Sequence, residues 1–258
     1  MELETLVIFL LIVAIAAAIQ TITGFALGLV LVAMTTAVNL VEIRYSAAVI
    51  AIISMSHTAL ALRRNYRQVQ VKILRPLLFG LIPSLLVGYL LLEYLSESSD
   101  IVLRYILGAM VIVAGSMLMA KPAVLAVQSK SQAWLMVGLV GGIFGGLYSA
   151  AGAPIAYYMY RQPLSIIAIR ATLLAIFFVS TGFRTVISGF SGHLTVAVLA
   201  TALLSLPVVI ITTLVVEKFL PTIADRSIRI LVFVLLILIG LSLLIHPDAM
   251  PAGSIIGG

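Results

Sequence analysis

The chain has 258 residues, 63% of them hydrophobic and only 9% charged, with a mean hydropathy of +1.27. A water-soluble domain carries roughly 25% charged residues on its surface, so a soluble fold is excluded, and recurrent apolar runs of about 15 residues or more make lipid the outer solvent. The net charge of +6 does not point to nucleic acid, because the cations sit in short loops and report orientation, and the lack of cysteine excludes disulfides, thiolate nucleophiles and cysteine–metal sites.

The N-terminus, Met1-Glu2-Leu3-Glu4, lacks the basic region of a signal peptide. Ala16-Ala17-Ala18 resembles a cleavage site, but the apolar run continues past it, so it reads as retained. This first apolar region, 5–37, is interrupted by Gln20-Thr21-Ile22-Thr23-Gly24. Ordinary helices are predicted over 46–62, 76–92 and 105–120, followed by a linker at 122–131. A second interrupted region, 132–160, breaks at Ser149-Ala150-Ala151-Gly152-Ala153-Pro154, and helices follow over 167–188, 195–216 and 230–245. The segments 63–75, 93–104, 121–131 and 217–229 hold most of the charges.

The chain repeats itself. Gly24 pairs with Gly152, Pro83 with Pro207, Arg104 with Arg229 and Gly115 with Gly240, at offsets of 128, 124, 125 and 125. Each half, 1–121 and 132–258, therefore reads as one broken helix followed by three full ones. If each broken region enters and leaves on one side, then Arg63, Arg64, Arg67, Lys72, Arg75, Lys121, Lys130, Arg161, Arg170, Lys218, Arg226 and Arg229 share a face, against Arg44 and Arg104 on the other. The positive-inside rule prefers this arrangement, with both termini outside. Residues 132–160 would make about 44 Å of helix, too short to cross a core of about 30 Å twice, so two half-depth arms are expected. Three crossings per half then invert the second half relative to the first. The fold class expected is an all-α polytopic membrane protein with two inverted repeats, each a re-entrant broken helix pair plus three transmembrane helices. Inverted repeats with broken helices are a transporter signature.

A broken helix aims the positive end of its second arm at the membrane interior, which makes an anion site from backbone amides. Thr21, Thr23 and Ser149 would add hydroxyls and Gln20 an amide. The alternative is that the small residues only let helices pack closely. His57 and Arg184 are the titratable or charged side chains lying within the full spans, at an offset of 127, each preceded three residues earlier by a hydroxyl (Ser54, Thr181). A membrane arginine without a carboxylate partner suits a bound oxyanion; the alternative is snorkelling. His57 reads as a proton carrier or as a hydrogen-bonded structural residue. Tyr148 is the one member of the tyrosine cluster around the second break placed at the site. Gly189-Phe190-Ser191-Gly192, with His193 and His246, resembles the motif of intramembrane rhomboid proteases, but the serine falls in a short connection and His246 at the far end of the last helix, so no enzyme is expected. Three isolated histidines make no metal-ligand set, and no cofactor is expected.

Over about 5–245 the sequence resembles the sulfite exporter TauE/SafE family. The resemblance rests on the break near Thr23-Gly24-Phe25 and the basic loop after the second element. It rests also on the second glycine-rich break, Gly141-Gly142-Ile143-Phe144-Gly145-Gly146 running to Gly152-Ala153-Pro154, and on the paired Arg104…Gly115 and Arg229…Gly240 helices. It implies a permease of a prokaryotic cytoplasmic (inner) membrane, often associated with export of sulfite, sulfoacetate or other sulfur-containing anions. Gln20-Thr21-Ile22-Thr23 stands where many members carry a richer glycine run, which bears on substrate rather than fold. The expected substrate site comprises Gln20, Thr21, Thr23, Gly24, Phe25, His57, Tyr148, Ser149, Gly152 and Arg184. The expected partners are a small anionic substrate and the bilayer, with a homo-oligomer compatible. Two alternatives stand beside this: a permease for a carboxylate or other small anion, and a non-transporting membrane subunit.

Overall fold

In a hydrocarbon core no water pairs with backbone N–H and C=O groups, so each apolar run closes its own hydrogen bonds as helix. The computed structural model describes residues 3–23, 25–63, 65–119, 123–223 and 226–245. These form α1 (Leu3–Thr23), α2 (Leu27–Ala37), α3 (Ile43–Leu62), α4 (Val71–Ser98), α5 (Asp100–Met119), α6 (Ser131–Tyr148), α7 (Gly152–Tyr160), α8 (Ile166–Phe190), α9 (Val196–Ile223) and α10 (Arg226–Ile245), with a 3-10 turn at Tyr66–Gln68. No strand occurs among the described residues. Seven of the helices are long and apolar enough to cross a membrane. The protein is an all-α polytopic membrane protein.

Its surface is built for lipid. Leu3, Leu11, Phe79, Val87, Leu203 and Ile211 are exposed, while Ser46, Ser54, His57, Thr58, Thr172, Ser180, Thr181 and Arg184 are buried among the helices. Most helices outrun the apolar spans seen in sequence; α4 extends through Glu93 and Glu97, and α9 through Lys218. Intrahelical bonding does not stop where the lipid does.

The tightest helix pair is α4 with α6, and small residues make it so. Gly80, Ser84 and Gly88 on α4 face Gly138, Gly142 and Gly146 on α6, each set spaced by four residues. A Cβ on Gly138, Gly142 or Gly146 would overlap the carbonyl oxygen of Leu77, Leu81 or Leu85 respectively. Backbones this close gain dispersion contacts that lipid cannot supply, the small-xxx-small logic of membrane helices. The partners advance together along both helices, so α4 and α6 run parallel. The glycine run 141–146, read in sequence as part of the second break, is therefore ordinary helix; the break begins at Ser149. The half-depth arms are corrected with it. α6 alone is about 27 Å long and α7 about 14 Å, so the broken element has a long arm and a short one.

α7 folds back along α6. Leu125 N–H donates to Arg161 O at 2.7 Å, Ser129 N–H to Gln162 Oε1 at 3.0 Å, and the rings of Trp134 and Tyr158 meet edge to face at 5.0 Å. The hairpin thus leaves on the face where it entered. α8 starts where α3 ends, since Gln70 N–H donates to Thr172 Oγ1 at 3.0 Å. With α4 parallel to α6, the basic segments 65–71, 123–131 and 161–166 share one face. Tyr45 hydrogen-bonds Thr201 at 2.7 Å and Arg44 lies 3.8 Å from Glu93, so the start of α3, the end of α4 and the start of α9 occupy the opposite face.

The principal helix contacts map onto themselves when each helix is exchanged for the one five places along. α1 packs on α9 as α6 packs on α4, α3 on α9 as α8 on α4, α2 on α3 as α7 on α8, and α2 on α10 as α7 on α5; α3 with α8 and α5 with α10 are self-paired. The ends of the chain, 1–2 and 246–258, and with them the expected position of the termini and His246, lie outside the described residues.

Candidate functional site at the helix breaks

The two breaks meet. A Cβ on Gly28 would overlap Ser149 O, and a Cβ on Gly152 would stand 2.9 Å from Phe25 O. The two contacts are reciprocal: Phe25 is to Ser149 as Gly28 is to Gly152, both at an offset of 124, the offset of Pro83 and Pro207. The repeat partner of Gly152 at this contact is Gly28, rather than Gly24. Gly24 and the Thr23 side chain lie outside the described residues. Ser149 closes α6 in the left-handed region, at φ 55°, a conformation costing an L residue roughly 1–2 kcal/mol. Its hydroxyl donates to Ala47 O at 2.7 Å and holds the turn, which presents the Ser149 carbonyl to Gly28.

Around this meeting lies a small polar cavity walled by Gln20, Phe25, Gly28, Ser54, Thr58, Ser149, Gly152, Ser180 and Thr181. The first N–H groups of α2 and α7 have no intrahelical partner. Several hydroxyls are turned to their own helices: Thr58 donates to Ser54 O at 2.7 Å and Thr181 to Phe177 O at 2.7 Å. The cavity measures about 20 Å³, room for a water molecule but not for a sulfonate. In this conformation the junction is closed around itself.

A second, larger space adjoins it. A vestibule of about 290 Å³ is lined by Gln20, Thr21, His57, Leu60, Ala61, Asn65, Arg170, Leu174, Ile210, Thr213 and Leu214. Asn65 and Arg170 belong to the basic face, so the vestibule runs inward from there. Gln20 lines both spaces. Its Oε1 accepts from Leu27 N–H at 2.9 Å, capping α2, and its Nε2 lies 2.8 Å from His57 Nδ1.

Of the residues expected at the site, Gln20, Phe25, Ser149 and Gly152 wall the cavity, and Gln20, Thr21 and His57 wall the vestibule. Two stand elsewhere. Tyr148 is buried with its hydroxyl donating to Leu103 O at 2.7 Å, which ties the end of α6 to α5. Arg184 is 1% exposed and lines neither space; its Nη1 donates to Gly145 O at 3.0 Å and its Cζ lies 5.4 Å from the centre of the Tyr89 ring. Tyr89 continues outward through His193 Nδ1 at 2.9 Å, and His193 lies 3.4 Å from Glu93, which also neighbours Arg44. This cluster binds α3, α4, α8 and the α8–α9 turn together on the face opposite the vestibule. It also occupies His193, while Ser191 is exposed at the end of α8 and is not bonded to it. Sequence reasoning missed Gly28, Thr58, Ser180 and Arg170. The offset of 124 would have found Gly28, and Arg170 was counted only as a loop charge.

The comparisons agree with this architecture. Residues 9–243 match the family described as Sulfite exporter TauE/SafE. The chain is 34% identical over 226 residues, 88% of each chain, to a protein of Cupriavidus necator named as a probable sulfite/organosulfonate exporter TauE. No solved structure matches. A family match across nearly the whole chain, on an all-helical membrane fold with two helix breaks in contact, has one meaning: the chain belongs to the sulfite exporter TauE/SafE family.

Proposed function

We propose that the protein is a secondary transporter that exports a small sulfur-containing anion, such as sulfite, sulfoacetate or a related organosulfonate, across the cytoplasmic membrane of a prokaryote. The observation that carries the reading is the reciprocal meeting of the α2 and α7 N-termini at a hydroxyl-lined cavity. Two positive dipole ends converge there on one point, which favours an anion without a buried lysine. Family membership and the name of the Cupriavidus necator relative support the sulfur chemistry.

The two halves act as inverted repeats, 1–121 and 132–258, that rock about the break junction. The exchange pattern of helix contacts supports this, as does the equivalence of Gln20–His57 with Gly145–Arg184, each tying a first arm to the helix after the hairpin. The basic face is cytoplasmic by the positive-inside rule. The conformation is then inward-facing: the vestibule opens to the cytoplasm, and the Arg44–Glu93–His193–Tyr89–Arg184 cluster closes the outer face.

The test is flux from proteoliposomes loaded in turn with sulfite, sulfoacetate and acetate. Sulfite or sulfoacetate should leave faster than from protein-free vesicles, and acetate should not. Acetate moving as fast would make this a carboxylate permease, and no flux of any anion would make it a non-transporting subunit.

A further inference from the structure

Both ends of the buried Gln20 amide are committed. A backbone N–H can only donate, so the oxygen of the amide must face Leu27 N, at 2.9 Å, and the NH₂ must face His57 Nδ1, at 2.8 Å. An amide NH₂ offers no lone pair, so Nδ1 is the acceptor and the neutral ring carries its proton on Nε2. The tautomer is fixed, in effect, by the first N–H of α2. Turning the amide over would set NH₂ against N–H at Leu27, so the lock resists a simple flip.

The proton that this leaves on Nε2 has nowhere to go. Among the described residues His57 Nε2 is buried and has no hydrogen-bond partner. An unpaired buried donor in a native structure is costly and calls for an account. His57 lines the vestibule, and so does Arg170, whose Nε is likewise buried and unpartnered. Arg170, on α8, is the other titratable group lining that space; α1 contributes neutral Gln20 and Thr21, and α9 neutral Thr213. Two residues that line a single cavity thus each carry an unsatisfied buried donor, and one of them a fixed positive charge, which matches a ligand that only accepts.

We propose that the vestibule is itself an oxyanion site, in which His57 Nε2–H and the Arg170 guanidinium hold a sulfite or sulfonate group before it reaches the break junction. His57 then serves as a fixed donor and not as a proton carrier. The proposal rests on reading the protein as an oxyanion transporter. A tetrahedral or pyramidal oxyanion presents several acceptor oxygens, and about 290 Å³ admits a small organic sulfonate as well as sulfite. A cation would meet Arg170 and two donors, and would be repelled.

The experiment is ¹⁵N NMR of the purified full chain labelled at histidine, with His57 assigned by subtracting the spectrum of His57→Gln. At neutral pH the His57 ring should be protonated at Nε2 alone. Added sulfite, or sulfoacetate in a second titration, should shift that nitrogen saturably, and Arg170→Gln should need about tenfold more anion or greater. Gln20→Glu supplies an acceptor in place of the NH₂, so His57 should there gain a proton at Nδ1. A wild-type ring protonated at Nδ1 overturns the lock. A correct tautomer that neither anion perturbs overturns the site, whether or not flux is seen. A saturable shift without flux leaves the site standing and removes the transport reading instead, so the two fail separately. An Arg170→Gln protein that binds like wild type while retaining its melting temperature removes Arg170 from the site.

Discussion

Arg184 carries a full charge in a 1%-exposed position, and among the described residues no carboxylate touches it. Its partners are the carbonyl of Gly145 and the face of Tyr89. A hydrogen bond from a charged donor contributes about 1.5–3 kcal/mol, and a desolvated cation over an aromatic ring about 2 kcal/mol. Arg184→Gln should therefore lower stability by about 2 kcal/mol or more, read as a fall in melting temperature in detergent, while sulfite affinity stays within about twofold. Arg184→Lys keeps the charge over the ring but loses the planar fork, and should fall between. A tenfold loss of affinity in folded Arg184→Gln would restore the ligand role that the sequence suggested. The sequence made His57 and Arg184 visible as a pair, because intramembrane charge is rare and their spacing matches the repeat. It could not show what each one touches. Tyr89 lies on a different helix, far along the chain, and its importance arises only when α4 and α8 pack.

Two kinds of glycine serve the helices differently, and substitution should separate them. Gly142 sits mid-stripe on α6, where a Cβ meets Leu81 O and the Ser84 hydroxyl. Gly142→Ala should force α4 and α6 apart and cost about 1–3 kcal/mol by overpacking, lowering expression and melting temperature together. Gly152 stands at the break, where a Cβ would lie 2.9 Å from Phe25 O, a milder overlap than that at Gly142 but one that backbone must shift to relieve. Gly152→Ala should cost less stability than Gly142→Ala yet lose most sulfite flux, because the two helix N-termini can no longer close on each other. Equal losses of stability in both variants would make Gly152 a packing residue. Composition and apolar period suffice to read the helices, since lipid enforces helix wherever the chain is apolar enough. The depth of the breaks was not legible for a local reason. Glycine weakens a helix in water but tightens one against a neighbour in lipid, so Gly141–Gly146 looks like a break until α4 is placed beside it.

At the scale of the whole molecule the segments 65–71, 123–131 and 161–166 and the vestibule fall on one face, and the Arg44–Glu93–His193 cluster on the other. Charge asymmetry in the loops pointed to this grouping of 65–71, 123–131 and 161–166, because short basic segments tend to stay on one side of a membrane. Which face stands open could not be read, since that depends on the conformation adopted. The chain has no cysteine, so single cysteines report accessibility without background. Asn65→Cys at the mouth and Thr213→Cys further in should both react with a membrane-impermeant thiol reagent added to inside-out vesicles, and not to right-side-out ones. Val196→Cys, exposed at the start of α9, should do the reverse. Thr213 is the discriminating position, because it is only 7% exposed and sits on an apolar helix. A reagent reaches it only through the vestibule, so its labelling measures the opening itself. Sulfite should slow labelling of Thr213→Cys if the anion fills that space, and leave Val196→Cys unaffected. Reaction of Asn65→Cys and Thr213→Cys from opposite sides would mean that the vestibule does not lead in from the basic face, and the inward-facing assignment would fail.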